Sequence, residues 1–152
     1  MPQLHEYPVS LEWSGGREGK GTAVAEKSGT TFKLAVGTEY EGTGAGTNPE
    51  ELLTTAITSC YSITFGIIAA SRKLPVASMK VTSTGVVEQN GPSLVYKSIT
   101  VRPFITLEAG ATDEQVALAT DMAHKADTYC IITNAVRGKV EVVIQPEIVR
   151  AS

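Results

Sequence analysis

The feature that most constrains this chain is a run of 20 uncharged residues, 52–71. Residues 47–49, Thr-Asn-Pro, favour a helix start before it, whereas Arg72, Lys73 and Pro75 favour a helix end after it. Twenty such residues are long enough to cross a bilayer. However, seven of the 20 are serine or threonine, and no second span or loop charge asymmetry accompanies them. We therefore interpret this segment as a buried helix.

A soluble helix that is apolar on most of its faces has to be covered from several directions. One small sheet covers only one face, so we predict that the remaining faces meet a second copy of the chain in an obligate homodimer. The chain has 152 residues, of which 42% are apolar and 19% charged. This composition is typical of one globular domain, which we expect to span residues 1–152.

Short strands are predicted on both sides of this helix. Before it, alternating and apolar runs predict three antiparallel strands with glycine-containing turns between them, near residues 9–13, 22–25 and 32–36. After it, the pattern predicts a long hairpin interrupted at Pro103, a helix starting at Thr112, a helical turn and a final strand, over residues 80–107, 112–127, 134–137 and 140–145. This order indicates an α+β fold with a mainly antiparallel sheet, a long central helix and a second helix.

The charge of the chain limits its partners. A formal net charge of −3 provides no basic surface, so we expect neither nucleic acid nor a membrane as a partner, and a small neutral substrate fits better. The first residues lack the basic start and apolar core of a secretory signal. We therefore expect a cytoplasmic protein.

Three glycines before the long helix, Gly42, Gly44 and Gly46, could suggest a dinucleotide-binding loop. Glu50 and Glu51 would repel a pyrophosphate in the first turn of that helix, and no βαβ unit follows. We expect this loop to serve close packing of the backbone instead.

Two cysteines, Cys60 and Cys130, are the candidate reactive groups. Permanent disulfides are rare in the cytoplasm, where paired cysteines are usually transient or catalytic. A cysteine in a buried helix can equally be an inert small hydrophobe. His5 and His124 are too few and too badly spaced to predict a metal site. A separation of six positions does not place His124 and Cys130 on one face of a helix, so it does not favour a Cys-His hydrolase.

Two motifs carry a family resemblance. Residues 46–52, Gly-Thr-Asn-Pro-Glu-Glu-Leu, followed by Ser-Cys at Cys60, resemble the core motif of the OsmC/Ohr family of thiol-dependent hydroperoxide reductases, as does Gly-Gly-Arg at residues 15–17. Cys130 lies 70 residues after Cys60, where the family has its second cysteine. The chain departs from many members at Ile131, where they have proline.

The resemblance implies an OsmC-like intertwined homodimer with active sites at the subunit interface, and a peroxidase reaction. Cys60 would attack an organic hydroperoxide as a thiolate and form a sulfenic acid, which Cys130 would resolve as a disulfide. Arg17, from either subunit, would stabilise the thiolate and the developing alkoxide, and Glu50 would orient Arg17 through a bidentate pair. The resemblance further implies reduction by a small dithiol or lipoyl-type reductant, with no cofactor or metal held by the chain.

Two other functions stay open from the residues alone. The first is a dimeric binding protein that holds an apolar ligand in the same cleft, with inert cysteines. The second is a cysteine-dependent hydrolase or transferase, which would require His124.

Overall fold

The structure, a computed structural model, describes residues Met1–Ser152. The chain divides into two compact units, Met1–Leu52 and Leu53–Ser152. The single domain over residues 1–152 stays a prediction.

The first unit contains a three-stranded antiparallel sheet, as predicted. Its strands are β1 (Val9–Ser14), β2 (Lys20–Ala25) and β3 (Thr30–Ala35), and they pair in the order β1, β2, β3. The turn between β1 and β2 needs glycine, because Gly15 has a φ of 93° in the left-handed region that other residues avoid. The Gly19 N–H donates to the Gly16 carbonyl at 2.9 Å, which closes this turn.

The glycine loop after β3 lies against the backbone of its own sheet. A Cβ on Gly42 would come within 2.1 Å of the Val36 carbonyl oxygen, and a Cβ on Gly46 within 2.6 Å of the Lys33 carbonyl oxygen. Both glycines therefore permit close approach of two backbone segments. This confirms the interpretation of the loop as a place of close packing.

The long helix α1 runs from Pro49 to Ser71. Its start is capped as predicted, since the Asn48 side chain accepts a hydrogen bond from the Glu51 N–H at 2.9 Å and the Thr47 hydroxyl donates to the Glu51 carboxylate at 2.9 Å. These contacts satisfy a backbone N–H that has no partner inside the helix.

The second unit is built on a long antiparallel hairpin of β4 (Val76–Asn90) and β5 (Ser93–Leu107), turning at Gly91. Two short strands, β6 (Glu141–Ile144) and β7 (Glu147–Arg150), pair with β5 in the parallel direction. The sequence predicted one final strand, but Pro146 divides this segment into two. Instead of interrupting β5, Pro103 lies between the parts of β5 that pair with β6 and β7, where the absence of a backbone N–H is tolerated.

Two further helices complete the second unit. The predicted helix start at Thr112 is confirmed by α2 (Asp113–Lys125), because Thr112 and Gln115 form a capping box with side-chain to backbone hydrogen bonds of 3.1 and 2.9 Å. A 3-10 turn follows, and then α3 (Ile131–Val136). The helical turn predicted at residues 134–137 begins three residues earlier, at Ile131. The sequence does not indicate this earlier start because Ile131 and Ile132 are β-branched and do not favour a helix.

The core of the second unit forms where one side of α1 meets β5 and α2. The buried side chains of α1 recur every four residues: Ile57, Tyr61, Phe65 and Ala69. This stripe makes α1 a core helix, although its length and composition alone would also permit a membrane span. The opposite side of α1 exposes Ile63 and Ile67 by 62% and 65%. The homodimer that would cover this side stays a prediction.

Candidate redox site

The second unit brings the two cysteines together. Cys60 lies in the middle of α1 and is half-buried, whereas Cys130 is fully buried at the N-cap of α3. Both are free thiols, and Cys60 lies close enough to Cys130 to raise the pKa of the Cys130 thiol. The two groups that the family resemblance assigned to one reaction therefore lie side by side.

The neighbouring residue Tyr61 fixes this arrangement. Its buried hydroxyl donates to the Ala123 carbonyl at 2.6 Å and so joins α1 to the last turn of α2. From there the 3-10 turn at Ala126–Tyr129 leads directly to Cys130. Burial raises the pKa of the Tyr61 hydroxyl, with the neighbouring Asp127 and Cys130 adding to the rise. Tyr61 is therefore a constant hydrogen-bond donor at neutral pH.

The surroundings of Cys130 favour its neutral thiol. Burial, together with the charge and hydrogen bond of Cys60, raises the pKa of this thiol to about 11, although the Thr64 and Thr133 hydroxyls lower it. The thiol donates to the Ala126 carbonyl at 3.4 Å. Cys130 therefore holds its proton at neutral pH beside a more accessible sulfur.

The predicted cation, Arg17, lies in the turn between β1 and β2 of the first unit. Its guanidinium donates to the Tyr40 carbonyl at 3.1 Å and lies 3.9 Å from a Glu41 carboxylate oxygen. The Arg17 side chain is 63% exposed, so this ion pair stabilises the fold only weakly. The guanidinium is held near the backbone while much of it stays accessible.

Glu50, the predicted partner of Arg17, lies in the first turn of α1. Partial desolvation raises the pKa of the Tyr40 hydroxyl, and the carboxylates of Glu50 and Glu39 raise it further. Arg17 thus binds the Tyr40 carbonyl, and the charge of Glu50 acts on the Tyr40 hydroxyl. The bidentate pair between Arg17 and Glu50, and the roles of both residues, stay predictions.

An apolar groove of about 530 Å³ lies between α1 and α2 in the second unit. Ile67, Ile68 and Leu118 are among its apolar lining residues, and Arg72 lies among its polar ones. Thr64, whose hydroxyl lowers the pKa of the Cys130 thiol, also lines this groove. The groove therefore reaches the side chains that surround the cysteine pair.

The residues required by the alternative chemistries are not gathered at this site. His124 is exposed on α2, and it is not among the groups that shift the pKa of Cys130. We find no cluster of three or more histidine, cysteine, aspartate or glutamate side chains that could hold a metal ion.

Comparison with known proteins identifies the family. Residues 42–145 match the family model described as OsmC-like protein. This chain belongs to the OsmC-like family. Over 144 residues, 95% of each chain, it is 31% identical to the uncharacterized protein YmaD of Bacillus subtilis. It is 27% identical over 147 residues to an organic hydroperoxide resistance protein of Xanthomonas axonopodis pv. citri, covering 94% of this chain and 96% of that relative.

The fold is also that of the OsmC-like family. An OsmC-like protein of unknown function from Vibrio cholerae, VCA0330, superimposes with a TM-score of 0.79 at 20% identity, covering 95% of this chain and 100% of that one. The predicted α+β fold with a long helix and a second helix is confirmed. Family members named for organic hydroperoxide resistance support a peroxide-related redox role for the chain.

The different surroundings of the two thiols predict selective alkylation. At pH 8, iodoacetamide should modify the native reduced protein once, at Cys60, because Cys130 is inaccessible and protonated. The difference in rate should be at least about tenfold, and peptide mapping by mass spectrometry would assign the modified residue. In urea both cysteines should react. Equal modification of the two residues in the native protein would contradict this description of the site.

Proposed function

We propose that this OsmC-like protein is a cytoplasmic thiol peroxidase that reduces organic hydroperoxides. One observation carries the proposal: a half-buried cysteine lies beside a fully buried cysteine that retains its proton. This arrangement suits an attacking sulfur that meets the substrate and a resolving sulfur protected from it. The likeness to an organic hydroperoxide resistance protein over nearly the whole chain supports the substrate class.

The first chemical step takes place at Cys60. Its thiolate attacks the distal oxygen of the hydroperoxide, the O–O bond breaks, and the remaining oxygen leaves as an alkoxide that takes up a proton to form the alcohol. Cys60 is oxidised to a sulfenic acid. The thiolate is the required form, because a protonated thiol is a poor nucleophile.

Arg17 and Glu50 assist this step. The guanidinium of Arg17 remains charged, so it stabilises the thiolate and donates to the developing alkoxide. Glu50 orients the guanidinium through a bidentate pair. With active sites at the interface of a homodimer, either subunit can supply Arg17.

The second step takes place between the sulfurs. Cys130 attacks the sulfenic sulfur of Cys60, its proton passes to the departing hydroxyl, and water leaves as the disulfide forms. Because Cys60 lies close enough to Cys130 to affect the pKa of its thiol, this step needs no large rearrangement. A small dithiol or lipoyl-type reductant then restores the two thiols, so the chain requires no bound cofactor.

The groove between α1 and α2 suits the organic part of the substrate. Its apolar lining can contact an alkyl or fatty-acyl chain. Hydrogen peroxide has no such chain and would gain little from these contacts. The same groove also supports the second candidate function, a dimeric binding protein for an apolar ligand whose cysteines are inert. Consumption of peroxide distinguishes the two functions, since a binding protein leaves the peroxide unchanged.

A homodimer is part of the proposal because apolar faces of both units are exposed. On β1, Val9, Leu11 and Trp13 share one side of the strand and are 65%, 54% and 42% exposed. On α1, Ile63 and Ile67 are exposed on the side opposite the buried stripe. Exposed apolar stripes of this kind are typical of interfaces, and we assign them to a second copy of the chain.

Separate substitution of the two cysteines tests the reaction. Cys60→Ser should consume no cumene hydroperoxide, because a serine hydroxyl does not ionise at neutral pH. Cys130→Ser should consume about one equivalent and then accumulate sulfinic and sulfonic acids under excess peroxide. By intact mass, wild type should lose two mass units, whereas Cys130→Ser should gain multiples of about 16. Retained activity in Cys60→Ser would exclude the assignment, and peroxide left unchanged by wild type would favour the binding protein.

Substitution of Arg17 tests its role. Arg17→Ala should slow reduction of cumene hydroperoxide by about tenfold or more, since a charged donor to the transition state is lost, and should slow alkylation of Cys60. Arg17→Lys should restore the charge but not the bidentate geometry, and so should give an intermediate rate. Arg102→Ala, which removes an exposed arginine from β5, is the matched control. Wild-type rates in Arg17→Ala would show that Arg17 has no part in the reaction.

Light scattering tests the homodimer. At micromolar concentration we expect a particle of twice the chain mass of 16.1 kDa. A charge at the centre of the exposed side of α1, introduced by Ile67→Asp, should shift the protein towards monomer or aggregate. The matched substitution Thr120→Asp changes α2 instead and should have less effect on the assembly state. A monodisperse monomer for wild type would contradict the dimer.

A further inference from the structure

The hydroxyl of Thr133 is a polar group that the steps above leave without a role. Thr133 is 1% exposed, and its hydroxyl oxygen has no hydrogen-bond partner. Elsewhere in the chain, helical threonines donate to the carbonyl four residues earlier, as Thr58 does at 2.7 Å and Thr120 at 2.8 Å. For Thr133 that carbonyl belongs to Tyr129, which precedes α3. A buried hydroxyl without a partner is unfavourable, so its position calls for a chemical reason.

The position of Thr133 suggests that reason. It lies three residues after Cys130 on the first turn of α3, so the two side chains share one face of the helix. Thr64, one helical turn after Cys60 on α1, lines the same groove as Ala126, whose carbonyl accepts from the Cys130 thiol, and its hydroxyl lowers the pKa of that thiol. Two hydroxyls from two helices thus lie near Cys130 and lower the pKa of its thiol, although the Thr133 hydroxyl makes no hydrogen bond of normal geometry to the sulfur in the reduced protein.

The reduced site makes little use of these donors. In the reduced protein the Cys130 thiol is itself a donor, to the Ala126 carbonyl. Once the sulfur carries a negative charge, it can accept hydrogen bonds but no longer donate one, and the Ala126 carbonyl no longer helps it. The hydroxyls therefore match the thiolate and not the resting thiol.

We propose that Thr64 and Thr133 are catalytic residues of re-reduction, which donate hydrogen bonds to the Cys130 sulfur as it leaves the Cys60–Cys130 disulfide. This proposal rests on the proposed function, since it requires that disulfide. It also assigns the point of attack: the reductant meets the half-buried Cys60 sulfur, and the fully buried Cys130 sulfur is the leaving group.

The dithiol reduces the Cys60–Cys130 disulfide in two steps. A thiolate of the dithiol attacks the Cys60 sulfur, a mixed disulfide forms, and the electron pair of the broken S–S bond passes to Cys130. The two hydroxyls stabilise this buried thiolate until it takes up a proton from solvent and donates again to Ala126. The second thiol of the reductant then loses its proton to solvent and attacks the other reductant sulfur, which is bonded to Cys60 in the mixed disulfide. This releases Cys60 as a thiolate and the reductant as a cyclic disulfide.

The rate of disulfide reduction tests the proposal. The full chain is oxidised with diamide, which does not require peroxidase activity, and the disulfide is reduced with dithiothreitol at pH 7.5. Thr133→Val and Thr64→Val keep the shape of the side chain and remove the donor, and each should slow reduction by about fivefold, with a larger effect in the double variant. Thr133→Ser retains a hydroxyl and should keep most of the wild-type rate. Thr120→Val is the control and should lie within about twofold of wild type.

An equilibrium measurement separates this role from simple packing. At pH 7.5 the reduced state holds Cys130 as a thiol, so loss of thiolate donors should leave the equilibrium constant with dithiothreitol within about twofold of wild type while the rate falls. A purely structural effect would change the equilibrium as well. Wild-type rates in both valine variants would overturn the proposal and leave the peroxidase intact. Failure of diamide to form the disulfide in wild type would overturn both.

Discussion

The hydrogen bond from Tyr61 to the Ala123 carbonyl sets the geometry on which the redox pair depends. It joins the middle of α1 to the end of α2 at 2.6 Å, immediately beside Cys60 and a few residues before Cys130. A buried hydrogen bond contributes only about 1 kcal/mol net, whereas loss of one partner leaves a buried group unsatisfied at a cost of about 1–3 kcal/mol. The pairing of the sulfurs is thus an outcome of core packing, and it does not depend on a mobile loop.

The two sulfurs lie close together but differ in burial, and this difference gives them different reactivity. The sulfur of Cys130 is surrounded by core side chains and keeps its proton, whereas its half-buried neighbour Cys60 is accessible from outside the core. The order of the proposed reaction follows from this difference. In the proposed regeneration Cys130 has to become an anion inside the core, and the two hydroxyls that we propose as donors would stabilise that anion, which further apolar packing would not.

Much of the fold could be predicted from local signals, because its main elements have strong ends. Asn48 before α1 and Thr112 before α2 make the capping contacts that their positions indicated. The parallel pairing of β6 and β7 with β5 was missed, since strand direction depends on the connections in space and Pro146 hides the second strand. The early start of α3 was missed because Ile131 and Ile132 have no helical signature.

The site could be predicted only in part. Cys60 and Cys130 are 70 residues apart, so nothing in their spacing places them in contact, and only the family resemblance suggested it. Tyr40 gave no signal that would connect it with Arg17 and Glu50. Thr133 did have one, a Cys-x-x-Thr spacing that puts two side chains on one helical face. That signal has meaning only once the sequence is known to be helical at Ile131 and Cys130 is known to be buried.

Residues 52–71 of α1 carry no charge, although the packing of a single chain would permit charged side chains on the exposed side of this helix. A helix that buries one stripe, here Ile57, Tyr61, Phe65 and Ala69, normally carries lysine or glutamate on the opposite side. The opposite side of α1 instead carries small and apolar residues: Thr55, Ser59, Ile63, Gly66, Ile67 and Ala70. Residues of this size let another backbone approach closely, and the side has no charge that burial would penalise. Because Cys60 lies between the two sides, the second copy that we propose to cover this face would also form a wall of the redox site.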